Sequence, residues 1–334
     1  MTGKIKPGKG SPYARIMGVG GYRPVRVVPN EEILKHIDSS DEWIRSRSGI
    51  ATRHWAGPEE TVAAMSIEAA GKAIADAGIA PEQIGAVLVS TVSHFKQTPA
   101  IATEIAHKIG AGRPAAFDIS AGCAGFGYGL ALAKGMVTEG SAEYVLVIGV
   151  ERLSDLTDLK DRATAFLFGD GAGAVVIGPS KELAMGPTVW GSEGDKAETI
   201  KQTVAWDVYR EETDVRFPAI TQEGQAVFRW AVFEMAKIAQ QALDEAGVSP
   251  EDLDVFIPHQ ANMRIIDSMV KTLKLPDSVT VARDVETTGN TSAASIPLAM
   301  ERLLATGAAK SGDTALLIGF GAGLVYAATV VTLP

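Results

Sequence analysis

One cysteine, Cys123, stands in 334 residues, with only five histidines. A lone thiol excludes an intrachain disulfide framework and gives no sign of an oxidising compartment. The chain has no HExxH, paired CxxC or EF-hand spacing, so no metal site is expected. No apolar run approaches the ~20 residues that cross a bilayer. The first residues carry Lys4, Lys6 and Lys9 among glycines and lack the apolar core of a signal peptide. Basic residues are also few, 31 against 40 acidic, and a net charge of -9 argues against non-specific nucleic-acid binding. These absences point to a cytoplasmic protein with neither membrane nor nucleic acid as partner.

What is present is a large apolar fraction, 46%, and 35 glycines, many beside short apolar runs. That composition suits a globule with a sizeable core. GVGGYRP at 18–24 is glycine-rich but breaks the dinucleotide spacing and runs into proline rather than a helix, so a nicotinamide site is not expected.

The chain repeats itself. AIADAGIAPEQI (73–84) and ALDEAGVSPEDL (242–253) are 169 residues apart. Each reads as a helix end, a glycine stop, a turn with proline and then a strand. GDGAG at 169–173 matches GFGAG at 319–323, each before a β-branched run. FDISAGCAG and RDVETTGNTSAAS each precede a helix, and their offset of 167 sets Cys123 opposite Asn290. Helical patterns alternating with short apolar strands predict an α/β fold with buried strands. Two similar halves are expected, residues 1–180 and 181–334, joined near GPSKE at 178–182.

Three side chains could carry chemistry. Cys123 follows the strand AAFDIS and a sharp turn, at or beside a helix N-terminus. There the macrodipole favours thiolate over thiol; a buried core cysteine is the competing account. His259, in DVFIPHQANMRIID, sits where a strand ends at Pro258, the edge at which α/β sheets bind ligands. Such a histidine is structural more often than catalytic. Asn290, in ETTGNTSAAS, serves either as a helix cap or as a partner to Cys123. The GFGAG segment is either a turn between core strands or a source of backbone N–H groups for an oxyanion.

Cysteine, then PHQANMRI, then GNTSAAS, then GFGAG is the order and wording of the β-ketoacyl-acyl carrier protein synthase III family. The sequence resembles that family from SSDEWIRSRSGI (39–50) through FGDGAG (168–173) to the C-terminus. The resemblance implies a duplicated thiolase-like fold, layered αβαβα, commonly a homodimer. It implies Cys123, His259 and Asn290 as the catalytic triad, with the N–H groups of Cys123 and Ala322 as the oxyanion hole. Cys123 would accept an acyl group from acyl-coenzyme A and pass it to the carbanion left when malonyl-acyl carrier protein loses carbon dioxide. Coenzyme A thioester is then a substrate, and no cofactor is implied.

Carried over by position, Trp43 and Arg47 would bracket the adenine, with Arg162 nearby. Gly224, Asn262 and Phe320 would line the pantetheine tunnel. Arg229, Arg264 and Lys271 would dock the acidic carrier protein; a merely solvated charged face is the competing account. Members using short straight primers can carry phenylalanine where this chain has Thr98 before Pro99. The family contributes that residue across the dimer to the acyl pocket. The smaller side chain implies room for branched four- or five-carbon primers, each added methylene worth ~0.8 kcal/mol if packed. Alternatives are a priming synthase or acyltransferase of a polyketide pathway, a cysteine thioester hydrolase and a silent binding protein. A degradative thiolase would carry a second catalytic cysteine, which is lacking.

Overall fold

The computed structural model describes residues 5–6 and 8–334; Lys4 lies outside them. Ten strands form two five-stranded sheets, numbered here in chain order. The first sheet holds β1 (Tyr13–Tyr22), β2 (Ile84–Ser90), β3 (Ala115–Ile119), β4 (Tyr144–Arg152) and β5 (Asp170–Ser180). The second holds β6 (Met185–Ser192), β7 (Val255–Pro258), β8 (Thr280–Val281), β9 (Thr314–Gly321) and β10 (Val325–Thr332). The orders are β1-β5-β4-β2-β3 and β6-β10-β9-β7-β8, the same path followed twice. The last strand of the first sheet ends at Ser180 and the first of the second begins at Met185.

Seven helices of eight or more residues occur among the described residues. They are α1 (Asp41–Ser48), α2 (Val62–Ala77), α3 (Ile101–Lys108), α4 (Gly125–Glu139), α5 (Gly224–Ala246), α6 (Met263–Leu273) and α7 (Ser295–Ala305). The strand alternation explains how they stack. On β4, Val145 and Val147 join a core with Phe126 and Leu130 of α4 and Ile296 and Met300 of α7. Leu146, Ile148 and Val150 face the other way, against α2 and α3. On β9, Ala315 and Leu317 enter the same central core while Leu316 and Ile318 pack towards α5 and α6. Both faces of both sheets are therefore buried, giving five layers with α4 and α7 in the middle.

The glycine-rich stretch of β1 has a packing reason. A Cβ on Gly18 would lie 2.3 Å from Ala77 N, and one on Gly20 would lie 2.2 Å from Ala69 O. Those glycines let α2 press directly onto the strand.

The repeat of 73–84 in 242–253 is real in three dimensions. Gly78 and Gly247 end α2 and α5 in the same left-handed conformation, φ 66 and 67. Single 3₁₀ turns follow at Pro81–Gln83 and Pro250–Asp252, then β2 and β7. Two other matches shift. The equivalent turns are Gly122–Ala124 and Ser292–Ala294, ahead of α4 and α7, so Cys123 lies opposite Ala293 rather than Asn290. GDGAG opens β5, whereas GFGAG closes β9 and enters the hairpin turn. Gly319 instead matches Gly149, which pairs with Gly173 as Gly319 pairs with Ala327. The first shift comes from residues 282–291 between β8 and its turn, where only 120–121 follow β3; the second comes from the long connection 153–169 between β4 and β5, where β9 and β10 are joined by residues 322–324 alone.

Candidate active site

Cys123 sits in the 3₁₀ turn that leads into α4, with Gly122 before it in the left-handed region, φ 48. The end of β9 lies against it. A Cβ on Gly321 would be 2.8 Å from Cys123 Sγ, and one on Gly319 would be 2.9 Å from the Cys123 carbonyl. Glycine at both positions lets a backbone from the second half lie beside the thiol. Ala322 follows and packs against Gly122. No carbonyl of the described residues takes up the N–H of Cys123 or of Ala322.

The helix end does not give a standing thiolate. Burial pushes the Cys123 thiol up to about 12, and the nearby Glu151 charge adds to the rise. The Ser292 hydroxyl and the cysteine's own N–H pull the other way but do not prevail. The expected lowering by the macrodipole is thus overcome by desolvation.

His259 follows β7 and is 2% exposed. Its N–H donates to the Ile318 carbonyl at 2.7 Å, its Nδ1 lies 2.7 Å from Ser295 Oγ, and its ring meets Phe320 edge-on at 5.3 Å. Burial pushes the imidazole down to about 3, so it is neutral near pH 7. Ser295 Oγ also accepts the Gln260 N–H at 3.3 Å. When the serine donates its own proton to Nδ1, Nε2 carries the hydrogen.

Helix α6 begins only at Met263, four residues after His259. Gln260 turns inward, donating to the carbonyls of Pro258 and Ala282 and accepting the Val285 N–H. Asn262 then caps α6, accepting the Arg264 N–H at 2.9 Å and donating to the Arg47 carbonyl at 3.0 Å.

Asn290 does not cap a helix. It bridges to Phe168 of the first half, donating its N–H to Leu167 O at 2.8 Å and accepting Gly169 N–H at 3.0 Å. Its Oδ1 accepts the Ser292 N–H at 2.8 Å. That fixes the side chain with Nδ2 as the group left to donate.

A buried carboxylate lies behind the thiol, and no sequence pattern marks it. Glu151, at the end of β4, is fully buried. Ser93 Oγ donates to it at 2.6 Å, Val92 N–H at 3.1 Å and Thr91 Oγ1 at 3.3 Å. Two residues earlier on the same face, a Cβ on Gly149 would be 2.1 Å from Ala293 O, so this face of β4 abuts the 292–294 turn. Burial pushes Glu151 up to about 7, while Ser93, Val92, Ser292 and Thr91 each pull it down. Ser292 thus acts on both the thiol and the carboxyl.

Two cavities converge here. One of about 440 Å³ contains Cys123, His259, Asn290, Ser292 and Ala322 and extends to Leu156 and Trp206. The second, about 680 Å³, is lined by Trp43, Arg47, Gly224, Asn262, Arg229 and Arg264. Gln222, Val227, Ala261, Ile265 and Asn290 line both, so the outer cavity reaches the reactive residues. Phe320 lines the inner cavity rather than the outer one. Arg162 stacks its guanidinium 5.1 Å over the Trp43 ring, which also meets Phe166 edge-on. Arg264 lies over Phe228 at 4.7 Å, and Lys271 is exposed on the same helix. Thr98 is exposed and does not line the cavity of its own chain. No cluster of metal-ligating side chains occurs among the described residues, and no helix among them is long and apolar enough to cross a membrane.

Residues 117–194 match the family model of 3-oxoacyl-(acyl-carrier-protein) synthase III, and residues 243–333 match the model of its C-terminal part. A Streptomyces glaucescens protein called β-ketoacyl-(acyl-carrier-protein) synthase III is 85% identical, with 99% of each chain covered. A Streptomyces coelicolor protein of that name, numbered 1, is 82% identical with the same coverage. Among solved structures, the priming β-ketosynthase of the R1128 polyketide pathway superposes with a TM-score of 0.97 at 46% identity, with 99% of each chain covered. The Aquifex aeolicus 3-oxoacyl-(acyl-carrier-protein) synthase III superposes at 0.88 and 37% identity, covering 96% of this chain and 99% of that one.

Proposed function

The chain belongs to the 3-oxoacyl-(acyl-carrier-protein) synthase III family, and from that premise we propose how its residues carry out the opening condensation of fatty-acid synthesis. The observation that carries the reading is the meeting of Cys123, His259 and Asn290 on one cavity joined to a second, basic one.

In the first step Cys123 Sγ attacks the thioester carbonyl of acyl-coenzyme A. A carbon–sulfur bond forms as the bond to coenzyme A breaks, and the N–H groups of Cys123 and Ala322 receive the oxyanion. The thiol proton leaves through Ser292 towards Glu151, whose affinity near neutrality suits a proton acceptor, and returns to the departing coenzyme A sulfur. Trp43, Arg47 and Arg162 hold the nucleotide, and Gly224 and Asn262 hold the pantetheine arm, with Phe320 at the inner end.

Malonyl-acyl carrier protein then delivers its arm through the same passage. Loss of carbon dioxide leaves an enolate whose oxygen accepts hydrogen bonds from His259 Nε2 and Asn290 Nδ2. A neutral imidazole suits this role, since it donates without surrendering its proton. The carbanion attacks the acyl carbonyl, Cys123 leaves as thiolate and regains its proton from water, and a β-ketoacyl carrier protein is released. No electrons change hands, so the scheme calls for no redox cofactor and no metal.

The working unit in this reading is a cytoplasmic homodimer, with neither membrane nor nucleic acid as partner. β3 supports the dimer: among the described residues it pairs with β2 alone, leaving an open edge with Phe117 exposed. Thr98 would act across that dimer, admitting branched four- or five-carbon primers. A second reading, priming for a polyketide pathway, has the likeness to the R1128 enzyme behind it.

Intact-protein mass spectrometry tests the scheme. Wild type should gain an acyl group from acyl-coenzyme A and lose it to malonyl-acyl carrier protein as a β-ketoacyl product. Cys123→Ala should gain none. Discharge by water alone would make the chain a thioester hydrolase.

A further inference from the structure

The outer face of α5 carries an aromatic side chain that packing does not explain. Phe233 is 64% exposed, the most exposed aromatic among the described residues. It lies in a stripe of exposed positions four apart: Gln225, Arg229, Phe233, Lys237 and Gln241. Arg229, one turn before it, lines the outer cavity, so Phe233 stands ~6 Å along the helix from that mouth. Across the mouth, α6 presents Arg264 and Lys271, both exposed, and Arg264 is held there by stacking on Phe228 of α5. Glu234 is engaged by Lys237 at 3.0 Å and Asp267 by Arg283 at 2.7 Å. In a chain of net charge -9 these two helices carry Arg229, Arg264 and Lys271 exposed, with the Phe233 ring one turn beyond Arg229.

We propose that Phe233 is the apolar anchor of the carrier-protein docking face, inserting into the acidic carrier protein while Arg229, Arg264 and Lys271 pair with its carboxylates. The inference rests on the condensing reading above and adds a residue to its partner surface. A docked protein covers ~800 Å² on each side, a disc of roughly 16 Å radius. Centred on the mouth through which the thioester arm must pass, such a disc covers Phe233. Electrostatic attraction sets the encounter rate and orientation, whereas an exposed ring that becomes fully desolvated holds the complex. A free coenzyme A thioester, which carries no protein, has no use for Phe233.

The test compares steady-state condensation by wild type, Phe233→Ala and Phe233→Glu, with malonyl-acyl carrier protein and acyl-coenzyme A varied separately. Both variants are expected to raise the KM for malonyl-acyl carrier protein roughly tenfold (about 1.4 kcal/mol). The acylation rate of Cys123 by acyl-coenzyme A, the kcat and the sedimentation coefficient should stay unchanged. An unchanged KM for the carrier protein overturns the proposal, as does a shift in sedimentation showing that a second copy of the chain covers the ring. Failure of wild type itself to condense would instead overturn the condensing reading, so the two failures are distinguishable.

Discussion

Gly122 and Ser292 hold the same left-handed backbone, φ 48 in each, at the equivalent point of the two halves. Glycine adopts that conformation freely; an L-residue there costs ~1–2 kcal/mol. The second half keeps a strained serine where the first uses glycine, and the hydroxyl it keeps lowers the proton affinity of both the reactive thiol and Glu151. Ser292→Gly should therefore leave thermal stability equal or raised by ~1 kcal/mol while slowing acylation of Cys123 roughly tenfold. Ser292→Ala should slow it as much and keep the strain. Calorimetry together with rapid-quench mass spectrometry separates the two effects; an acylation rate unchanged in both variants would remove the hydroxyl from the proton path.

Glu151 gives a pH signature. Its folded-state value of about 7 lies above the ordinary 4.5, so the folded protein holds an extra proton between those limits. The stability that this proton represents is whole below pH 4.5 and is lost as pH rises through about 7. Glu151→Gln should flatten the window, gaining up to about 3 kcal/mol relative to wild type between pH 5 and 8. Asp170, raised by burial to about 6, titrates in the same range, so the difference between variant and wild type is the quantity to follow. Because the Glu151 charge raises the Cys123 thiol, alkylation of Cys123 by iodoacetamide at about pH 8 should be faster in the variant than in wild type.

His259 and Asn290 act after acylation in the proposed scheme. His259→Ala and Asn290→Ala should retain an acyl adduct on Cys123 while the release of carbon dioxide from malonyl-acyl carrier protein falls by ~10²–10³. Labelled malonyl substrate measures this directly. Equal loss of both half-reactions would mean that these residues serve to hold the nucleophile instead.

Thr98→Phe should narrow the primer range. With acetyl- and isobutyryl-coenzyme A in competition, the variant should favour acetyl by ~10-fold or more over wild type, the discrimination that one filled methylene site gives. An unaltered ratio would place the acyl-pocket wall elsewhere.

Much of this architecture is written locally. The helix stops at Gly78 and Gly247 and the prolines after them are readable because a left-handed residue and a fixed φ are properties of single positions. His259 at the end of β7 is readable for the same reason. The partner of Cys123 in the repeat is not, since residues 282–291 before the second turn outnumber residues 120–121 before the first, and only the matching 3₁₀ turns ahead of α4 and α7 restore the count. Glu151 looks like any surface glutamate until Ser93, Val92 and Thr91 close over it. The thiol's proton affinity is likewise unreadable, because the helix end that lowers it is a local feature and the burial that raises it comes from packing.

The two halves clasp each other at the centre. Cys123 of the first lies against Gly319 and Gly321 of the second, and the Asn290 turn of the second is stitched to Leu167 and Gly169 of the first. Neither half owns a complete reactive centre. A chain cut within the exposed link at 181–183 would yield two inert fragments whose reassociation alone restores turnover, so recovered activity becomes a direct count of correctly mated halves.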